Sequence, residues 1–253
     1  MEISILVFIF VGFIAQLIDG SLGMAYGVSA NSFLMGVGLP PAIASASVHT
    51  AELFTTAISG FSHWKLGNVD KAIVKRLLIP GVIGGALGAY VLVNLDGNAI
   101  KPYIAIYLLI MGIRILVTAF RSAVKEPARP GPWLMPLGFV GGACDAMGGG
   151  GWGPIVTTTM ISIGHSPQKT VGSVNLSEFF VTLSEVILFV ATIKFTNWKE
   201  IVGLLVGGVL AAPLGAMLVK KISPKTLMIV VGLLIIALQI RTLLPYITDL
   251  LIK

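Results

Sequence analysis

The residues able to do chemistry stand in matched pairs inside apolar sequence. Asp19 and Asp145 each sit in a glycine-containing stretch, GFIAQLIDGSLGMAYG over 12–27 and GFVGGACDAMGGGGWG over 138–153. Glu52 and Glu178 lie in later apolar segments, each three residues after a polar partner, His49 and Asn175. That spacing puts each pair on one face of a helix. Arg114 and Arg241 complete the set. An ionised acid inside a bilayer costs about 2.5–3.5 kcal/mol on insertion scales, so each of these acids is a functional candidate by default. The aspartates either cap the helical arm that follows, by accepting its free N–H groups, or belong to a binding or coupling site. The glutamates either carry a coupling proton or pair with Arg114 or Arg241. Arg241, nearer the end of its segment, is expected to snorkel to the interface.

The glycine stretches themselves point to an anion. A helix that breaks at membrane depth exposes N–H groups and a positive dipole end, and both favour negative charge. The expected substrate contacts are Gly148, Gly149, Gly150, Gly151 and Trp152 in the second stretch and Gly23 and Gly27 in the first. Ser47, His49, Ser173 and Asn175 are expected to line a wet cavity. The competing reading is that the glycines serve a tight hairpin and close packing, and that the polar groups bond between helices. An ionised aspartate repels an anion, so it must be protonated, face away or pair with arginine. The spacing is neither a P-loop nor a dinucleotide fingerprint. A lone Cys144 excludes an internal disulfide and a multi-cysteine metal site. No metal and no cofactor are expected.

The elements that must position these residues are membrane helices. Of 253 residues 56% are hydrophobic and 11% charged, and mean hydropathy is +0.96. Soluble domains carry about 25% charged residues. A span needs about 20 apolar residues, and several segments reach that length. The start, MEISILVFIF, has an acid where a secretory signal needs basic residues, so no cleaved leader is expected. The net charge of +6 belongs to loops that orient the protein and does not suggest nucleic acid.

In chain order, an apolar arm over 3–18 stops at Asp19-Gly20 and a second runs over 22–37. Segments 42–61, 77–93 and 103–120 follow. The charged stretch 121–132 is the one linker. Arms over 133–144 and 155–163 then flank the glycine run, and segments 169–193, 201–219 and 227–244 complete the chain. Residues 1–120 and 133–253 repeat one plan. At an offset of 126 the window 12–56 holds 12 identities, among them Asp19 with Asp145 and Glu52 with Glu178. Tyr26 meets Trp152 at the same offset. At 127, Arg114 meets Arg241. Matching acids and an arginine exceed what apolar composition produces by chance.

Charge gives the repeats their sense. Re-entrant broken segments leave each half an odd number of crossings, as do fully crossing ones, so the halves are inverted. Lys65, Lys71, Lys75, Arg76, Arg121, Lys125, Arg129, Lys169, Lys220, Lys221 and Lys225 then share one side, against Lys101, Lys194, Lys199, Arg241 and Lys253. The richer side is cytoplasmic by the positive-inside rule, which puts both termini outside.

The two glycine patterns, each followed by an apolar arm, a proline turn and a small-residue helix (ASASVHTAE, VGSVNLSE), resemble the TauE/SafE sulfite-exporter family over essentially the whole chain. The resemblance implies an all-α polytopic transporter of sulfur-containing or related organic anions in the cell membrane. The expected function is export of a small anion such as sulfite, a sulfonate or a sulfoacetate-like compound by alternating access. The alternatives are an anion channel and a proton-coupled uptake carrier. The expected partners are the anion and the lipid bilayer, with room for a homodimer. An intramembrane enzyme using His49 or Cys144 has no nucleophile, base and orienter at a recognisable spacing. The repeat also replaces those residues by Asn175 and Ile18.

Overall fold

The computed structural model describes residues 4–22, 24–120, 129–193, 197–218 and 224–252, and every regular element in them is helical. In order these are α1 (Ile5–Leu22), α2 (Tyr26–Gly36), α3 (Pro41–Lys65), α4 (Lys71–Val93) and α5 (Gly97–Thr118). The second half holds α6 (Leu134–Gly148), a π-helical turn (Gly153–Thr157) leading into α7 (Thr158–Ser162), α8 (Pro167–Thr192), α9 (Trp198–Leu218) and α10 (Pro224–Ile252). Among the described residues, four helical stretches are long and apolar enough to cross a membrane: Lys71–Val93, Gly97–Thr118, Pro167–Thr192 and Met228–Thr248. Helix α3 is as long, at 25 residues, but carries the buried polar run of Ser45, Ser47, His49 and Glu52.

The distribution of residues is that of a protein whose solvent is lipid. Ile79, Ile83, Leu87 and Tyr90 of α4 face outward, while Gln16, Asn31, His49, Glu52, Asp145, Glu178 and Glu185 are buried. Close helix contacts rest on small residues, as expected where lipid tails leave no hydrophobic drive between helices. A Cβ on Gly12 would strike the Leu204 backbone of α9, and one on Gly84 the Phe139 backbone of α6. Helix α1 thus packs on α9 and α4 on α6, each helix of one half against a helix of the other. Helices α3 and α8 pack on each other, as do α5 and α10.

The first break is displaced from its expected place. Helix α1 continues through Asp19-Gly20 to Leu22, and the chain leaves helix only before Tyr26. One glycine costs a helix about 1 kcal/mol, which the long α1–α9 contact outweighs. The break is marked instead by Ala25, in a left-handed conformation at φ 101°. The second break also comes later: α6 takes in Asp145 and ends at Gly148, followed by Gly149 at φ 65° and Gly150 at φ 140°. Gly23 and most of the expected linker, 121–128, lie outside the described residues.

At one end of the bundle the first turn of α8 is tied to the α3–α4 loop. Lys169 donates to the Gly67 carbonyl at 2.6 Å, Gln168 to the Asn68 side chain at 2.8 Å, and the Asp70 N–H to Ser173 at 2.7 Å. The basic residues around Lys71 and Lys169 therefore share one end of the molecule.

Candidate functional site

The two helix breaks meet. A Cβ on Gly27 would touch Gly149 and Gly150, and one on Gly150 would enter the backbone of Gly27 and Val28. Asn31 of α2 donates to the Gly148 carbonyl at 2.5 Å, and the Tyr107 hydroxyl to the Gly150 carbonyl at 3.2 Å. Beside this junction, Tyr26 and Trp152 are the largest fully buried side chains. Each is anchored alike: the Tyr26 hydroxyl donates to the Leu204 carbonyl at 3.3 Å, and the Trp152 indole N–H to the Val174 carbonyl at 3.2 Å.

The loop amides are occupied by the chain itself. The N–H groups of Gly149 and Gly150 go to the Asp145 carbonyl, the second at 2.9 Å. Those of Gly151 and Trp152 go to Oδ1 of the Asp145 side chain, at 2.6 and 2.9 Å. Four successive amides expected to stand open to a ligand thus converge on one residue. The reason is local: an aspartate one turn before a helix end can reach back over the tight glycine turn and satisfy the next helical turn's donors. The first break repeats this more weakly, with Tyr26 N–H 3.4 Å from Asp19 Oδ1.

The other oxygen of Asp145 faces an acid–base cluster. Its Oδ2 lies 3.6 Å from His49 Nε2, and His49 Nε2 lies 3.0 Å from Oε2 of Glu185. On its far side His49 Nδ1 is 2.8 Å from the Ser45 carbonyl and 3.1 Å from the Ser45 hydroxyl, which itself donates to the Ala146 carbonyl at 2.6 Å. One ligand-type atom from each of His49, Asp145 and Glu185 lies within 4.8 Å of the others. The 3.0 Å contact is close enough for His49 and Glu185 to share one proton. Glu52 is buried one turn from His49, and Glu178 of α8 is buried within electrostatic reach of Glu52, Asp19, Asp145 and Glu185.

The structure therefore gathers Asp19, Gly27, His49, Glu52, Gly148, Gly149, Gly150, Gly151, Trp152, Asp145 and Glu178 about one centre. Other expected residues go elsewhere. Ser47 bonds within its own helix to the Ile43 carbonyl, and Ser173 holds the α3–α4 loop. Arg114 donates to Thr158 at 2.9 Å and Thr159 at 2.5 Å, bracing α7 against α5. Arg241 is exposed. Asn175 bonds across the α3–α8 contact to Ser59 at 3.2 Å.

Sequence reasoning missed Glu185, Ser45, Asn31 and Tyr107. For Glu185 a signal existed. At the offset of 126 it stands opposite Ser59, as His49 stands opposite Asn175, so His49–Glu185 and Asn175–Ser59 are the same contact made twice. The window of identities ends at Thr56, and an acid without a matching acid drew no notice.

Comparison with known proteins agrees with this architecture. The family described as sulfite exporter TauE/SafE matches residues 8–242. A probable membrane transporter protein, YtnM of Bacillus subtilis (strain 168), is 46% identical over 248 residues, covering 95% of this chain and 83% of the relative. No solved structure gives a significant match. A helical bundle with a polar interior, an apolar exterior and a family match over nearly its whole length identifies the chain as a membrane transporter of the TauE/SafE sulfite-exporter family.

Proposed function

We propose that this transporter exports a small sulfur-containing anion, such as sulfite or a sulfonate, by alternating access between two inverted repeats. The observation that carries the reading is the junction of the two helix breaks, Gly27 against Gly149 and Gly150, beside buried ionisable groups drawn from both halves. Transporters with repeated halves bind substrate where discontinuous helices meet near the midplane. The exchanged contacts α1–α9 and α4–α6 and the twin pairs His49–Glu185 and Asn175–Ser59 support a two-fold relation of the halves. Substrate contacts are assigned to Gly27, His49 and the 148–152 loop, with coupling or structural roles for Asp19, Glu52, Asp145 and Glu178. The basic end that joins Lys71 and Lys169 is assigned to the cytoplasm, which leaves both termini outside. A monoanion leaving a negative-inside cell without a coupled ion gains about 2.3 kcal/mol per 100 mV, so uncoupled flux runs outward; with a coupled proton, export is driven by the anion's own outward gradient.

The test is counterflow. Purified protein in liposomes preloaded with unlabelled sulfite should accumulate labelled sulfite above the outside level, which a channel cannot do. Dissipative flux without counterflow would refute the carrier, and absence of both sulfite and sulfonate flux would refute the cargo.

A further inference from the structure

The hydrogen-bond geometry around His49 fixes where a proton must be. The Ser45 carbonyl can only accept, so His49 Nδ1, 2.8 Å away, carries hydrogen. The Ser45 hydroxyl spends its own hydrogen on Ala146 and also accepts from Nδ1. A neutral imidazole then has a bare lone pair at Nε2, and a carboxylate has bare lone pairs at Oε2. These two atoms stand 3.0 Å apart with both side chains fully buried, where an unprotonated contact is repulsive and has no water to relieve it. One of the two atoms, Nε2 or Oε2, must carry a proton.

A second observation shows that this charge is not needed for packing. The repeat-related contact between the same two helices, Asn175–Ser59 at 3.2 Å, holds α8 to α3 with neutral groups. Space for the acid is provided as well: a Cβ on Gly85 of α4 would meet Glu185 Oε1 at 2.6 Å. Four atoms of the cluster, Glu185 Oε1 and Oε2, His49 Nε2 and Asp145 Oδ2, are buried with no aligned hydrogen-bond partner.

We propose that the His49–Glu185 pair is the coupling site, passing its proton to Asp145 as the substrate oxyanion replaces the Asp145 carboxylate on the Gly151 and Trp152 amides. The proposal rests on the anion-carrier reading above and says how that carrier is coupled. Asp145 is the loop's resident anion. Its Oδ2, at 3.6 Å from Nε2, is just beyond hydrogen-bond reach, so the proton stays with His49 and Glu185 until the carboxylate shifts. On transfer the Nε2–H or Oε2–H bond breaks and an Oδ2–H bond forms. Neutral Asp145 then has little hold on two N–H donors, and an incoming sulfonate takes them. When alternating access opens the site to solvent, the emptied pair takes up a new proton from water. Loading one monoanion thus takes up one proton, and the loaded carrier has the charge of the empty one.

Other titratable groups frame the site without replacing the pair. Asp19 of α1, Tyr26 of α2, Glu52 of α3, Tyr107 and Arg114 of α5, Cys144 of α6 and Glu178 of α8 lie around it. None of them closes the Nε2–Oε2 contact. With one proton per monoanion, voltage no longer acts on the complex, and direction follows the anion and pH gradients.

The experiment is calorimetric titration of the detergent-purified full chain with methanesulfonate, which stays a monoanion at every working pH. Repeating it at one pH in buffers of different ionisation enthalpy gives the protons taken up per anion bound. The expected result is about one proton per anion for the wild type, falling towards zero in Glu185→Gln, whose amide can donate to neutral His49. Binding by wild type with no proton uptake overturns the coupling and leaves the anion carrier standing. A full proton retained by a binding-competent Glu185→Gln also overturns it, by placing the proton elsewhere. No binding of methanesulfonate or sulfite to folded wild type overturns both readings. The wild-type slope alone decides the matter if the variant fails to fold.

Discussion

Adding a methyl group at the junction of the two breaks should separate the roles of its glycines. Gly150 has φ 140°, and its Cβ would enter the backbone of Gly27 and Val28. Holding an L-residue in left-handed conformation costs about 1–2 kcal/mol, and overpacking against backbone that cannot rotate away adds about 1–3 kcal/mol. Reduced freedom of the unfolded chain returns about 0.4–1 kcal/mol, which leaves a mid-range loss of about 3 kcal/mol for Gly150→Ala. Gly38 is the control, because its φ is 106° but its Cβ would meet nothing within 4 Å. Gly38→Ala should therefore lose only about 1 kcal/mol, the conformational part alone. Gly149→Ala falls between them: φ is 65°, and its Cβ meets the Asn31 amide, a side-chain end that can turn aside at the expense of its bond to the Gly148 carbonyl. Thermal unfolding in detergent, followed by a thiol-reactive dye on the half-buried Cys144, reads the series. At roughly 2–4 °C per kcal/mol for a chain of this size, Gly150→Ala should melt about 5–15 °C below wild type. If Gly150→Ala melts no lower than Gly38→Ala, the two breaks are not packed backbone to backbone.

Orientation is read with single cysteines in a Cys144→Ala background. Positions 71 and 169 should resist impermeant thiol reagents outside intact cells while position 98 labels, and the opposite pattern would reverse the assignment of sides. The arginines should be unequal. Arg114→Ala removes two hydrogen bonds to Thr158 and Thr159, each worth about 1.5–3 kcal/mol as a bond to a charged group, whereas exposed Arg241→Ala should leave melting within about 0.5 kcal/mol. Equal shifts in the melting of the two variants would show that the threonine bonds carry no stability.

Much of this molecule could be read before any contact was known. Hydropathy and segment length placed most of the helices, because in lipid a backbone must satisfy its own hydrogen bonds and a helix does so within one segment. The duplicated Asp19 and Asp145, Glu52 and Glu178 marked the residues that turn inward, because an acid in apolar sequence has nowhere else to go. Where each helix would end was less legible. Asp19-Gly20 looked like a break, but the α1–α9 contact carried the helix past it, a tertiary gain set against a local cost. Whether the loop amides stood open also lay beyond the sequence: Asp145 could have faced away, been protonated or capped, and only the path of the glycine turn brings its Oδ1 to Gly151 and Trp152. The His49–Glu185 pair lay furthest from reach. Two residues 136 positions apart meet only because α3 packs on α8, and residues so distant in the chain leave no trace in local spacing. Sequence determined which groups are buried in the membrane, through the local energy of each segment. Tertiary structure alone decided which of them meet, because that depends on how helices from different halves pack.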